Sequence, residues 1–417
     1  MFAQINAFFQ DKFFAILCGF RKGHSTQHAL LNLLQNWQSY LDKGEIVGTL
    51  LMDLSKAYDC IPHDLLIAKL EAYGFSFNSL QLVCSYLKGR KHRVKIGNIF
   101  STFLEILLGV PQGSILGPLL FNIFINDLFS FLEKTLICNF ADDNSLYTSG
   151  KSLDIVTEKL KHDTSIVLHW FSVNSMVANP EKFQIMFLGV EENSNLTFEI
   201  NGISICATNS VKLLGVIIDH KLTFSLHIEA ICKQASQKTK ALLRIRKYLS
   251  FDKTLLLFNA YVFSNLLYCP LVWMFCSKAN HNLINRTHRR ALCVVYSRFD
   301  LDLSELLKLH GSFTIHTKHL QLLMTEVFKC LNKLNPEFMW GFFSQNETPC
   351  ALRSINTVKL PPTNTRRFGL NTFKFRASIL WNSLPRHLKL CSNLNEFKRK
   401  IKSWDGSNCS CIYCRQF

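Results

Sequence analysis

Apolar residues recur along this chain with two periods. Short uncharged, β-prone runs between polar flanks predict strands at Glu45 to Met52 and Leu136 to Phe140. By the same reasoning His92 to Ile96, Lys182 to Leu188 and Val211 to Ile218 are predicted strands. Elsewhere the spacing lengthens to that of a helix, at His28 to Leu41, Leu65 to Tyr73, Leu119 to Phe131 and Leu153 to Asn174. The last of these gathers Val156, Leu160, Ile166, Val167 and Trp170 on a side able to cover a sheet. From about Leu222 to Leu309 the pattern is helical and basic, as Lys233, Lys238, Lys240, Arg244, Arg246 and Lys247 show. Strands and helices mixed as far as Ile218, followed by a helical stretch, predict an α+β fold.

Charge enters this pattern at a few positions. Asp142 and Asp143 interrupt an apolar stretch, and the preferred geometry is a hairpin with both at its tip. Such a pair is either an ordinary surface turn or a ligand for a hard cation, since two adjacent carboxylates repel unless something positive sits between them. Asp53 ends the uncharged run that starts at Val47. It either caps a turn or short helix from Ser55 onward or stands at the sheet rim, where ligands bind. Between the two, Gly109, Pro111, Gly113, Gly117 and Pro118 force an irregular approach to the Leu119 helix. Gln112 and Gly113 are thereby held on a backbone that a flat base pair can approach.

Six segments in order, CGFRKGHST (18–26), MDLSKAYD (52–59), GVPQGSILGP (109–118), FADD (140–143), NPEK (179–182) and VKLLGV (211–216), resemble the reverse transcriptases of non-LTR (LINE-type) retrotransposons. The resemblance implies a right-hand polymerase, with partial fingers and palm over 1–219, a mostly helical thumb over 220–310 and a basic C-terminal region over 311–417. It implies an RNA-directed DNA polymerase in which Asp53, Asp142 and Asp143 hold two magnesium ions and catalyse nucleotidyl transfer from a dNTP to a DNA primer on an RNA template. Tyr58 would lie beneath the incoming sugar and exclude a 2′ hydroxyl, with a core aromatic as its alternative. Leu54, Ser55, Gln112 and Gly113 would line the nucleotide, although Gln112 could instead tie down its own turn. Lys182 would stand near the triphosphate and protonate departing pyrophosphate, or be a solvated lysine at a helix end. Arg21 and Lys22 would touch template or phosphate.

Composition changes the picture in three ways. The chain carries 47 Lys and Arg against 30 Asp and Glu, a net charge of +17, which favours a polyanion partner. The last 67 residues hold 13 of the basic and 2 of the acidic residues, with Phe368, Phe373, Phe375, Trp381 and Trp404 among them. Those rings are expected in a core and the charges on nucleic acid. The 15 cysteines are dispersed, as in a reduced intracellular protein of nucleus or cytoplasm. Only Cys409, Cys411 and Cys414 cluster, a possible zinc grip lacking an obvious fourth ligand beyond Cys391 or His387. Leu255 to Cys276 is 22 residues without a charge, but Asn259, Asn265 and Pro270 favour a broken buried helix over a membrane span.

Little precedes Cys18, so the front of the fingers and the endonuclease of LINE-type proteins are expected to be missing, as in an N-terminally truncated copy. A second reading is therefore a catalytically inactive remnant that binds RNA or RNA–DNA hybrid.

Overall fold

The computed structural model describes residues 1–346, 357–407 and 409. The chain divides into two compact units, one formed by residues 1–25 with 45–209 and the other by 26–44 with 210–417.

The first unit is built on four antiparallel strands, β1 (Ile46–Met52), β7 (Leu136–Phe140), β8 (Asp143–Gly150) and β10 (Gln184–Leu188). They form one sheet of order β10-β1-β8-β7. Central β1 pairs Val47 with Leu188 on one side and Ile46 to Met52 with Gly150 to Asn144 on the other. Burial on both faces explains why β1 reads as a continuous apolar run rather than an alternating one. Helix α6 (Leu153–Val173) packs against β1 and β8. Its Ser152 side chain accepts from the Ile155 N–H, capping the first turn. Val156, Leu160, Val167 and Trp170 are buried beneath it as the pattern predicts, while Ile166 is half-buried. Helix α5 (Gly117–Ile125) is buried at almost every position, as expected for a helix hydrophobic all round. Two other helices, α3 (His63–Ala72) and α4 (Phe77–Leu87), pack on each other, and α3 also meets α5. A short helix, α1 (Phe2–Phe9), also reaches α5.

A buried acid fixes where β7 starts. Asp163 on α6 is fully buried, and its Oδ2 accepts from the N–H groups of Glu133, Lys134 and Thr135 and from the Thr135 hydroxyl. Burial pushes this carboxyl up, but the bonds from His162, Lys134 and Thr135 outweigh it and lower its pKa.

In the second unit α2 (Thr26–Asp42) belongs with the C-terminal half. A hairpin of β13 (Ser210–Leu213) and β14 (Val216–Asp219) leads into α7 (Ser225–Ile245), which packs on α10 (Lys278–Tyr296). Behind them α12 (Ile315–Leu331) meets α13 (Phe373–Ser383) and α15 (Leu394–Ile401). Buried Glu326 on α12 bonds His28 of α2 at 2.9 Å and Lys329 at 3.0 Å. Burial pushes Glu326 up, yet these two partners hold it at about 2.

Several predicted elements differ. His92 to Ile96 is not one strand but two exposed two-residue ladders, Lys91–His92 with Leu104–Glu105 and Lys95–Ile96 with Ile99–Phe100. Helix α5 gives way to a 3-10 turn at Asn126–Phe131, where the Asn126 side chain bonds the backbone of Phe14 and Lys12 and the Tyr73 hydroxyl. Strand β10 starts at Gln184 because Pro180–Lys182 forms a 3-10 turn. Val211 to Ile218 is a hairpin turning at Leu214 and Gly215, both at positive φ. The uncharged stretch from Leu255 breaks into a helix to Leu257, a π-turn at Phe258–Val262, a 3-10 turn at Phe263–Leu267 and a short helix at Pro270–Trp273. Among the described residues no helix is long and apolar enough to cross a membrane. Among the described residues no disulfide joins two cysteines. Cys411 and Cys414 of the suggested zinc grip lie outside the described residues.

Candidate active site

Strand register brings distant carboxylates to one rim of the sheet. Met52 pairs with Asn144, so the next step along the antiparallel ladder sets Asp53 beside Asp143. Neighbouring strands lie about 4.8 Å apart. Asp53 caps no helix: it is followed by the two-residue strand Leu54–Ser55, paired with Val177–Ala178, and α3 starts only at His63. The Asp53 carbonyl accepts from Asn179 N–H at 3.0 Å, and Lys182 Nζ lies 3.1 Å from Asp53 Oδ2. The NPEK turn is thus tied to Asp53 through backbone and side chain together.

Asp142 sits in a two-residue turn closed by the Phe140–Asp143 pair, with Ala141 at φ +57°. A non-glycine residue in that region costs roughly 1–2 kcal/mol and must be held there. Two buried amides hold it. Asn139 Nδ2 donates to the Ala141 carbonyl at 2.9 Å and to Asn144 Oδ1 at 2.9 Å, and Asn144 Nδ2 donates to the Asp142 carbonyl at 3.1 Å. Residues 17–19 run against the same turn: Leu17 bridges Asn139, and a Cβ on Gly19 would overlap the Ala141 backbone. Asn122 Nδ2 fixes Gly19 through its carbonyl at 2.7 Å.

Partial burial and the charges of Asp142 and Asp53 all raise the pKa of Asp143. Tyr58 has its hydroxyl pKa raised by burial and by Asp142. Its ring stacks on Phe121 at 4.3 Å and meets Phe20 edge-on at 6.2 Å, while the buried hydroxyl has no hydrogen-bond partner among the described residues. The 109–114 loop is fastened to the same segment. Val110 N–H donates to the Tyr58 carbonyl, Gly109 N–H to Ile61, and His63 Nε2 bonds the Gly109 carbonyl at 2.8 Å. Gly109 has φ +85°, and a Cβ there would lie 2.7 Å from Asp59 Cα, so only glycine allows this approach.

The remaining candidates are placed unevenly. Gln112 is exposed and donates to Asp59 Oδ1 at 2.8 Å, so it bonds beyond its own turn, and Gly113 beside it is exposed at φ +78°. Ser55 is half-buried. Leu54 differs from expectation: its side chain is core, 6 % exposed, because strand alternation turns it inward after Asp53. Arg21 is spent on its own segment, donating to the carbonyls of Phe14 and Leu17 and lying over the Phe13 ring, whereas Lys22 is exposed. Sequence reasoning missed Asn139, Asn144, Asp59 and Phe20. The two asparagines were detectable as amides at the ends of apolar strands flanking an acidic pair.

Among the described residues no group of three or more His, Cys, Asp or Glu is arranged as a metal-binding cluster. The donor set nonetheless suits a hard divalent cation: it is all carboxylate oxygen, and the like charges that raise Asp143 are what a cation would relieve. The Lys182 ammonium partly neutralises Asp53.

Residues 1–218, more than half of the chain, match the reverse transcriptase (RNA-dependent DNA polymerase) family, and the chain belongs to that family. It is 27 % identical over 321 residues to the probable RNA-directed DNA polymerase from transposon BS of Drosophila melanogaster, an alignment covering 73 % of this chain and 34 % of that protein. It is 30 % identical over 280 residues to the RNA-directed DNA polymerase from mobile element jockey of Drosophila funebris, covering 64 % and 30 %. The resemblance to retrotransposon enzymes drawn from the six segments agrees with these relatives, of whose length the chain spans about a third. Among solved structures, apo telomerase from Candida tropicalis aligns with 15 % identity and a TM-score of 0.41, over 80 % of this chain and 54 % of that one.

Proposed function

We propose that the chain is an RNA-directed DNA polymerase that adds deoxynucleotides to a DNA primer on an RNA template. The observation that carries this reading is the register that sets Asp53 beside Asp143, one residue from Asp142. In this reading residues 1–219 are partial fingers and palm, 220–310 the thumb and 311–417 a basic region that adds nucleic-acid contacts. An RNA template and 15 dispersed cysteines suit a protein working inside the cell, in nucleus or cytoplasm.

Asp53, Asp142 and Asp143 would hold two magnesium ions, which when bound supply activation of the primer 3′ oxygen and charge neutralisation at the leaving pyrophosphate. The chain's own contribution is position and electrostatics. Asn139 fixes the Ala141 carbonyl and Asn144 the Asp142 carbonyl, and so the turn that directs both carboxylates. Tyr58, propped by Phe121, presents a rigid ring at the edge of the site against which a sugar hydroxyl would collide. Gln112, held by Asp59, and the exposed Gly113 offer a flat backbone surface to the nucleotide. Lys182 is exposed beside Asp53, where it would meet a phosphate oxygen and release its proton to pyrophosphate.

The test is primer extension by the purified chain on a primed RNA template with magnesium and four deoxynucleotides, beside Asp142→Asn. Extension by the wild type, reduced on the order of a hundredfold or more in the variant, supports the enzyme. Tight binding of the primed template with no extension by either protein favours a binding remnant.

A further inference from the structure

The second unit contains a cavity of about 360 Å³ whose lining, among the described residues, includes no carboxylate. Three cationic side chains reach it, Lys221, Arg367 and Arg376, on two loops and the start of α13. Each loop is held by a buried acid outside the lining. Asp219 accepts from the N–H groups of Lys221, Thr223 and Phe224, and Asp42 accepts from those of Asn364 and Thr365. Those bonds turn both carboxylates toward backbone, and among the described residues neither acid forms an ion pair with Lys221, Arg367 or Arg376; Arg367 donates to the Lys221 carbonyl at 3.3 Å. An Arg376 N–H donates to Asn371 Oδ1, and its buried Nε has no partner among the described residues. The residue before α7, Phe224, and the N-cap of α10, Ser277, also line the cavity, so the positive ends of two long helices border it.

The remaining walls are aromatic. Trp273, Phe275 and Phe368 line the cavity, with Arg367 over Phe368 at 4.9 Å and Arg376 over Phe275 at 6.0 Å. Gln35 and Gln38 of α2 add amides. Cations for a phosphate, flat rings for a base and amides for its edge occur together in a volume within the ordinary range for small-ligand pockets, about 300–1,000 Å³. We propose that this cavity binds a nucleoside 5′-phosphate, free or as one splayed nucleotide of a single strand, at a site separate from the carboxylate rim. A simple anion would not need the rings, and an apolar ligand would not need the charges.

The experiment uses the full chain and follows tryptophan fluorescence and calorimetric binding with adenosine 5′-monophosphate, adenosine and inorganic phosphate. Alongside, a single-stranded RNA carrying 5-iodouridine is crosslinked and the adducts mapped. The expected result is saturable binding of the monophosphate at least tenfold tighter than of adenosine or phosphate. Arg367→Glu, an exposed change, should weaken it at least tenfold with an unchanged melting temperature, and Phe368→Ala should weaken it too. Crosslinks in the peptides containing Phe275 or Phe368 assign the nucleotide to a strand; monophosphate binding without competition or crosslinking by RNA assigns it to a free nucleotide. The proposal is overturned if neither probe engages the cavity, if phosphate binds as well as the monophosphate, or if Arg367→Glu leaves binding unchanged. No step of this test requires polymerisation, so its failure leaves the polymerase reading standing.

Discussion

At the residue scale, Asp143 is held in a form that folding disfavours. Its pKa is raised by burial and by Asp142 and Asp53, so the folded state takes up its proton more readily than the unfolded chain does. Stability therefore falls as pH rises from the ordinary carboxylate range through the raised value. Asp143→Asn should accordingly melt higher than wild type at pH 7 in metal-free buffer, with the advantage disappearing as pH falls toward 4; an advantage that grows on acidification would refute the coupling. Tyr58 is the second position where one side chain decides an outcome. Tyr58→Ala removes a ring stacked on Phe121 and should admit ribonucleotides, read as a rise of about tenfold or more in ribonucleotide over deoxynucleotide incorporation if the ring is the sugar gate. Unchanged sugar discrimination would return Tyr58 to the core aromatics.

At the element scale, the hairpin that carries Asp142 depends on what lies beneath it. Asp163 gathers three N–H groups and a hydroxyl ahead of β7, and its lowered pKa means that its contribution is present above the ordinary carboxylate value and is lost as pH falls through and below it. Asp163→Ala should cost about 3 kcal/mol at pH 7, and the difference from wild type should shrink at acidic pH, as chemical denaturation would show. Three strands of the sheet were readable because each is an apolar run with abrupt ends, and α6 because its stripe repeats at helical spacing; β8, a largely polar run, was implied only as the second arm of the hairpin. The paired ladders near His92 were not, because two-residue strands carry no period. The breaks between Leu255 and Trp273 were also hidden: an uncharged run gives no sign of a π-turn, and Pro270 marks only the last of them. At the site, the acidic residues were readable as charges ending apolar runs, whereas the Asn139–Asn144 clasp and the Asp59–Gln112 bond depend on register and on a partner 53 residues away.

At the scale of the whole molecule, a net charge of +17 is the dominant property that no single element explains. Part of the basic charge is engaged within the chain. Lys329 and Lys400 are paired with Glu326 and Glu396, and Arg246 and Arg289 bond backbone carbonyls. Lys398 and Arg399 on α15 are exposed, while Phe397 on the opposite face stacks on Phe328 at 4.5 Å. Of the tail aromatics, Phe373, Trp381 and Trp404 are core, as the sequence suggested, and Phe368 is not. Affinity for a primed RNA template should fall linearly in log–log form with salt, and replacing Lys398 and Arg399 by Ala should reduce the slope by about one for each phosphate that these side chains neutralise. A slope unchanged by that replacement would move the nucleic acid off this face.

The account turns on Asp53, Asp142 and Asp143 acting together on a shared cation. Manganese binding, followed by its paramagnetic resonance signal, tests this most directly in wild type, Asp53→Asn and Asp142→Asn without any nucleic acid. The expected result is saturable binding by the wild type that each substitution weakens at least tenfold, although the two residues are 89 positions apart in sequence. Binding that either substitution leaves intact would show that the carboxylates do not share an ion.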